Sequence, residues 1–155
     1  MIKGLKELDR KFAMLESISM RTGISKGIQY IQGAAKEDCP VNDGELKNSI
    51  LTSVQEHGDS VIGSCYTNKS YSPYVEFGAG PKGQESHVGI SSNVDVAYSQ
   101  SPWWIHESQI DQNVAEKYHW FYIDTPDGRF YQCSGQAAQP FLYPALKNNL
   151  SLIHI

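Results

Sequence analysis

The chain has 155 residues, 40% of them hydrophobic, and a formal net charge of −4 at pH 7. This length allows one domain with a core of its own and is short for two. The acidic balance argues against a protein that holds nucleic acid through its phosphates. No apolar run reaches the length of a membrane span, and the N-terminus lacks the apolar block of a signal peptide. We therefore expect a single soluble domain that stays in the cytoplasm where it is made.

The charge is unevenly distributed along the chain. Residues 1–36 contain seven Lys or Arg against three acidic residues, a balance of +4, so the remainder carries −8. A basic helical arm on an acidic body suits a head-to-tail oligomer, in which the arm of one subunit lies against the body of the next. A solvated helix face is the simpler interpretation, and the charge pattern alone favours it.

Three cysteines, Cys39, Cys65 and Cys133, are odd in number and widely separated. This pattern argues against a disulfide framework and for reduced thiols. The paired C-x-x-C spacing of a zinc site is absent, so we expect small buried apolar residues here and no metal or other cofactor.

The N-terminal region, residues 2–36, has the spacing of a helical arm. Two apolar stripes recur at intervals of three and four, which predicts amphipathic helix; they are Ile2, Leu5, Leu8, Phe12 and Leu15, then Met20, Ile24, Ile28, Ile31 and Ala35. The second stripe is out of phase with the first. The helix therefore either breaks near Thr22-Gly23, with Thr22 capping a new start, or presents different faces to different neighbours.

Pro40 marks the end of this region, because proline disfavours helix at the residue before it. Asn42 and Glu45 then have the spacing of a capping box, which predicts a short helical turn. Alternation over residues 50–54, a Gly-Asp turn and a returning run over residues 61–66 predict a hairpin.

The segment Tyr71–Gly80 is predicted as a short helix. Its aromatic residues recur at spacings of three, Pro73 suits a first turn, and Gly78 ends the run. Glu76 is the one acidic residue in this apolar stretch. Because a buried unpaired charge is costly, we expect it to pair with a backbone amide or a basic residue at an interface.

Residues 80–113 lose periodicity and are predicted as a long loop, of the kind that is usually functional or mobile. Trp103 and Trp104 within it are expected to dock on this subunit or on a partner. A helical turn is predicted over residues 114–117.

Two aromatic runs, residues 120–123 and 130–133, flank a Thr-Pro-Asp-Gly turn and predict a second hairpin. The sheet and loop region therefore spans residues 49–133. A last helix is predicted over residues 140–149.

Candidate chemistry is sparse. His106-Glu107 with Asp111, or His87 with Asp95, offers metal ligands or acid–base groups, but neither set has the spacing of H-E-x-x-H. The alternatives to a structural protein are therefore a metal-dependent hydrolase and a small ligand-binding module that uses the 80–113 loop. We expect neither, and predict no catalytic, cofactor-binding or metal-binding residues.

The run Gly78–Gly83 formally satisfies G-x-G-x-x-G. A dinucleotide site needs a strand before the glycines and a helix that begins on them. Pro81, Gly83 and Gly89 predict no helix there, so we interpret the match as chance.

The last six residues, 150–155, match the translation of a transposon-end adapter used in sequencing libraries. We expect read-through of an adapter there rather than a natural C-terminus.

Three blocks in order, residues 40–50, 74–80 and 135–146, together resemble the tail-completion, neck or head-to-tail joining proteins of long-tailed bacteriophages. These are also described as minor capsid or minor tail components. The family commonly has Val-Asp-Thr-Gly where this chain has Val-Asn-Asp-Gly, a change that keeps helix-capping residues.

The resemblance implies an α+β subunit, with N-terminal helices and a C-terminal helix packed on a small antiparallel sheet of hairpins, within one domain over residues 1–149. It also implies a structural virion protein without an active site, a homo-oligomeric ring between the capsid connector and the tail terminator or tail tube, and a channel that DNA passes without specific binding. No membrane partner is implied. The family-motif and interface candidates are Pro40, Gly44, Leu46, Ile50, Tyr74, Glu76, Phe77, Gly78, Trp103, Trp104, Pro140, Phe141 and Pro144.

Overall fold

The structure, a computed structural model, describes residues 5–86, 89–117 and 119–152. Its α+β class confirms the prediction. In chain order the elements are α1 (Leu5–Asp38), α2 (Glu45–Asn48), β1 (Ile50–His57), β2 (Ser60–Thr67), α3 (Ser72–Phe77), α4 (Gly80–Glu85), β3 (Trp103–His106), α5 (Gln112–Lys117), β4 (Tyr122–Thr125), β5 (Gly128–Cys133) and α6 (Leu142–Asn148), with 3-10 turns at Glu107–Gln109 and Leu150–Leu152.

Contacts group the chain into two compact units. One contains residues 1–72 and 141–155, and the other contains residues 73–140. The single domain expected from the sequence stays a prediction. Ile2, His87 and residues 153–155, which enter the predictions above, lie outside the described residues.

Helix α1 runs without a break through Thr22-Gly23, so the first of the two alternatives, a break at that point, is wrong. The Thr22 hydroxyl donates to the Ile18 carbonyl at 2.8 Å, inside the helix, instead of capping a new start. Ile28, Ile31 and Ala35 are 6, 2 and 0% exposed and form the core face of the helix.

The first predicted hairpin is confirmed: β1 and β2 pair antiparallel, with Ile50 opposite Thr67 and His57 opposite Ser60. One face of this two-stranded sheet packs on α1. A Cβ on Gly63 would lie 2.9 Å from the Ile24 side chain, so glycine lets the strand approach the helix closely. Helix α6 packs on α1 as well.

The short turn before β1 is confirmed as α2, but its predicted capping box is wrong. The amide of Glu45 donates to Asp43 Oδ1 at 3.0 Å, so Asp43 takes the role given to Asn42. The Glu45 carboxylate accepts from Lys69 Nζ instead of reaching back to the turn. Gly44 precedes the helix with φ 82°, a left-handed conformation that favours glycine.

The second unit contains a three-stranded antiparallel sheet in the order β3-β5-β4. The hairpin of β4 and β5 was predicted, as was the helical turn α5. The prediction of an unbroken loop over residues 80–113 is wrong in two places. Residues 80–85 form α4, and both tryptophans lie in β3, where Trp103 is opposite Cys133 and Trp104 opposite Gln132.

Candidate interaction surfaces

The middle and last sequence blocks meet within the second unit. Ala79 and Gln136 form an antiparallel bridge in which each amide donates to the other's carbonyl, at 2.9 and 3.0 Å. Gly135, with φ 81°, lies so close to this bridge that a Cβ would overlap the Ala79 carbonyl oxygen. Gly78, with φ 77°, is also enclosed, because a Cβ there would lie 2.7 Å from Gly83 Cα and 2.9 Å from the Gln136 carbonyl oxygen. These glycines allow the close backbone contacts around the bridge.

The G-x-G-x-x-G match, Gly78–Gly83, lies in this same region. A helix does begin at Gly80, so the predicted absence of a helix is wrong, but the preceding element is helix α3 and not a strand. The glycines serve contact between backbones, and the six residues of α4 make no nucleotide site.

Helix α3 confirms the predicted short helix and its end before Gly78. Glu76 is buried and engaged in an interaction within the protein. No buried side-chain nitrogen or oxygen in residues 5–86, 89–117 and 119–152 lacks a hydrogen-bond partner. Phe77 is half-buried, and its carbonyl accepts from the Tyr98 hydroxyl at 2.7 Å. Tyr74 is 59% exposed, which makes it the surface residue of this block.

The first and last blocks contribute mostly to packing. Leu46, Ile50 and Phe141 are buried, the last two completely. Pro40, Pro140 and Pro144 are half-buried, and Gly44 sets the turn before α2. Leu46, Ile50 and Phe141 therefore belong to the core, and the interface role of the candidate residues stays a prediction.

The outer face of the second unit's sheet is apolar and open. Direct partners across antiparallel strands share a face, so Trp104 shares one with Gln132, and Ile123 with Phe130. The Gln132 amide donates to the Phe121 carbonyl at 2.8 Å, which sets Phe121 on this face too, with its ring centroid 6.1 Å from that of Trp104. Trp104, Phe121 and Ile123 are 43, 63 and 41% exposed. We call Trp104, Phe121, Ile123 and Phe130 the sheet patch.

The opposite face of the sheet is packed at Trp103 and Tyr131 and open at Tyr122. Tyr131 is 4% exposed, and a Cβ on Gly80 would lie 2.9 Å from the Trp103 ring. The two adjacent tryptophans therefore have different roles: Trp103 supports the fold of the unit, and Trp104 lies on its surface. At the sheet edge, the hydrogen bond to Asp124 raises the pKa of Arg129, whose guanidinium lies 4.0 Å from the centre of the Tyr122 ring.

The first predicted stripe of α1 is also open. Leu8, Phe12 and Leu15 are 52, 56 and 62% exposed. A shallow pocket marks the side of α1 that faces the hairpin tip; it is lined by Ala13, Glu16, Met20, Glu56, Gly58, Asp59 and Val61. At about 100° per residue, Leu8, Phe12 and Leu15 lie roughly 160° around the helix from the core face of Ile28, Ile31 and Ala35. We call Leu8, Phe12 and Leu15 the arm stripe.

The candidate metal ligands near His106 make hydrogen bonds to backbone groups of the turns around them. His106 Nδ1 accepts from the Ser108 amide at 3.2 Å, so Nε2 carries the proton and donates to the Asp127 carbonyl at 3.1 Å. Glu107 Oε1 accepts from the Arg129 amide, and Asp111 Oδ1 from the Asn113 amide. Among the described residues, no three His, Cys, Asp or Glu side chains are grouped to hold a metal ion.

A family model matches the part of the chain that contains the first sequence block and most of the second. Residues 1–78 match the family described as "Bacteriophage HK97-gp10, putative tail-component". The chain belongs to this family. The match covers half of the sequence, from α1 through α3 to Gly78, and membership places the chain among bacteriophage tail components. The comparison with curated proteins found no match, and neither did the comparison with solved structures.

For an HK97-gp10-like protein, Phe121 and Ile123 are the exposed residues of the sheet patch that sequence reasoning missed. Phe121 and Ile123 were read only as a strand of a hairpin. The available signal was the unbroken aromatic and apolar run over residues 120–123, because a strand with one solvated face alternates instead. None of the described helices combines the length and apolar character needed to cross a membrane.

Proposed function

We propose that this HK97-gp10-like chain is a structural subunit at the head-to-tail junction of a long-tailed phage. There it completes the tail or joins it to the capsid connector as one copy in a closed ring. Its partners are the connector or adaptor on one side and the tail terminator or tail-tube protein on the other. The family match over residues 1–78 is the observation that carries this proposal.

The proposed activity is geometric and not chemical. A ring of identical subunits needs two unlike surfaces on each copy, because only a heterologous contact that closes on itself makes a ring of more than two. The open arm stripe and the open sheet patch are two such surfaces. A net charge of −4 suits a channel through which DNA slides, since phosphate binding would slow its passage.

The surface geometry favours a macromolecular partner over a small ligand. Small-molecule sites are concave and enclose most of their ligand. Trp104, Phe121 and Ile123 instead lie side by side on an open strand face. The hydrolase alternative gains nothing from His106, whose two ring nitrogens are both engaged in turns.

A nonsense mutation in this gene, in the phage that carries it, tests the proposal. We expect electron microscopy of lysates to find DNA-filled heads and free tails that are not joined, and a plasmid copy of the intact gene to restore virions. Quantitative mass spectrometry of restored virions should find the chain at a fixed, low copy number. Infectious, joined virions without the chain would overturn the proposal.

A further inference from the structure

We propose that the arm stripe of one copy docks on the sheet patch of the next copy. The inference rests on the ring part of the proposed function and names the two surfaces that meet. The occupant of each surface is therefore a second copy of this chain.

The arm stripe lies on a part of α1 that its own unit leaves uncovered. Helix α1 has 34 residues and is about 51 Å long, whereas the eight-residue strands of the hairpin cover about 26 Å. The core face uses residues 28–35, and the Arg21–Glu56 ion pair at 2.9 Å joins the helix to the strand near the hairpin turn. Ala13, Glu16 and Met20 line a pocket with the hairpin tip, so α1 stays beside the hairpin as far as residue 13. Leu8, Phe12 and Leu15 lie on another side of the helix and are more than half exposed. Exposed Ile18, three residues after Leu15, enlarges the apolar surface.

The sheet patch has the composition of a protein interface. An antiparallel sheet with one packed face ordinarily has polar residues on the other, but this outer face has Trp104, Phe121 and Ile123 in exposed positions. Aromatic side chains are enriched among residues that dominate binding energy at interfaces. An amphipathic helix that lays its apolar side on such a surface is a recurrent mode of recognition.

Charge favours the pairing of an arm with a sheet unit over the pairing of two sheet units. Helix α1 (Leu5–Asp38), which carries the arm stripe, has six basic and five acidic residues, a net +1. Residues 73–140, the unit of the sheet patch, contain eight acidic residues against three basic ones, a net −5. Two sheet units therefore repel each other, whereas the slightly basic arm helix and the acidic sheet unit attract. The contact is therefore heterologous, which is the kind that closes a ring.

Two single variants, each blocking one side of the contact, test this pairing. Phe12→Ser disrupts the arm stripe and leaves the sheet patch intact, and Phe121→Ser does the reverse. Both residues are exposed, so each variant should keep the circular dichroism spectrum of the unchanged chain. The matched control is Ile62→Ser, at an exposed apolar residue on the open face of the first hairpin.

Mass photometry and analytical ultracentrifugation of the full chain should find oligomers for the unchanged protein and for Ile62→Ser. Phe12→Ser and Phe121→Ser should each be monomeric at concentrations where the unchanged chain is assembled. The concentration at which half of each variant is assembled should be at least about tenfold higher than for the unchanged chain. An equimolar mixture of these two variants should form a one-to-one pair and nothing larger. In that pair the intact arm stripe of Phe121→Ser meets the intact sheet patch of Phe12→Ser, and no second pair of intact surfaces is left.

Three results would overturn the pairing while leaving the ring intact: assembly of either variant like the unchanged chain, equal loss of assembly in Ile62→Ser, or no pair in the mixture. An unchanged chain that stays monomeric at all concentrations would overturn the ring itself. The nonsense mutation described above tests the role in tail joining separately.

Discussion

At the scale of single residues, two glycines predict opposite effects of the same substitution. Gly135→Ala should destabilise the second unit by at least ~1–3 kcal/mol, because the position has φ 81° and the new Cβ would overlap the Ala79 carbonyl oxygen. Thermal unfolding followed by tryptophan fluorescence measures this effect, since all three tryptophans lie within residues 73–140.

Gly33→Ala is the matched control within α1. A Cβ there has no atom within 4 Å, so alanine should stabilise the helix by about 0.5–1 kcal/mol through its better helix propensity. Far-UV circular dichroism, to which the long α1 contributes strongly, measures it. A loss of stability in Gly33→Ala, or none in Gly135→Ala, would contradict the backbone geometry of the corresponding position.

The rate at which the Cys65 thiol is alkylated should depend on pH. Burial raises the pKa of Cys65, and the Lys36 ammonium acts against that shift. The reactive thiolate is therefore scarcer at neutral pH than in an unfolded chain, and alkylation should accelerate only at higher pH than it does for the chain in urea. Mass spectrometry of the Cys65 peptide measures the two rates. In Lys36→Met the rate should fall further, and a faster rate would contradict the assigned charge effect.

Residue-level chemistry was only partly predictable from the sequence. That Gly78 ends a helix follows from the apolar run before it, and the structure confirms it. That Gly78 also packs against Gly83 and Gln136 depends on a strand-like bridge 57 residues further along the chain, which no local pattern encodes. Asn42 and Asp43 are both good caps, so only the path of the turn decides that Asp43 accepts from Glu45.

At the scale of elements, local periodicity identified the hairpins and the long helix but not which face of the helix is buried. Both stripes of α1 have the same spacing, and the sheet and α6 cover only the second one. The strand of Trp103 and Trp104 was missed because four residues without alternation have no strand signal of their own. Their strand conformation comes from pairing with β5, a non-local interaction.

The two stripes of α1 predict unequal costs for similar truncations. Ile31→Ala removes a side chain that is 2% exposed and should cost ~2–5 kcal/mol of unfolding free energy. Leu15→Ala removes as many carbon atoms from an exposed position and should change the stability of the monomer by no more than ~0.5 kcal/mol. Urea unfolding followed by circular dichroism, at a concentration where the chain is monomeric, compares them. Equal costs would mean that the arm stripe is packed within its own subunit.

At the scale of the whole molecule, family membership and the open surfaces come from different parts of the sequence. The family match ends at Gly78, whereas the sheet patch lies between residues 104 and 130. The matched region therefore carries the arm, and the acidic region beyond it carries the surface on which we propose that the arm docks. The uneven distribution of charge was visible in the sequence, but by itself it favoured a solvated helix face. The exposed apolar residues of the arm stripe and of the sheet patch add the argument for assembly.

Assembly driven partly by opposite charges should weaken as salt is added. Exposed charges interact over a Debye length that falls from about 10 Å at 0.1 M salt to about 3 Å at 1 M, whereas apolar burial is not weakened by this screening. We expect the concentration of half-assembly to rise between low and high NaCl, and to rise less in the double variant Arg10→Gln with Lys11→Gln, which removes two basic residues from the arm. Lys147→Gln, which removes one basic residue from α6, is the control and should keep the salt dependence of the unchanged chain. Ultracentrifugation across the salt series measures all three proteins, and assembly that strengthens with NaCl would mean that apolar contact alone holds the copies together.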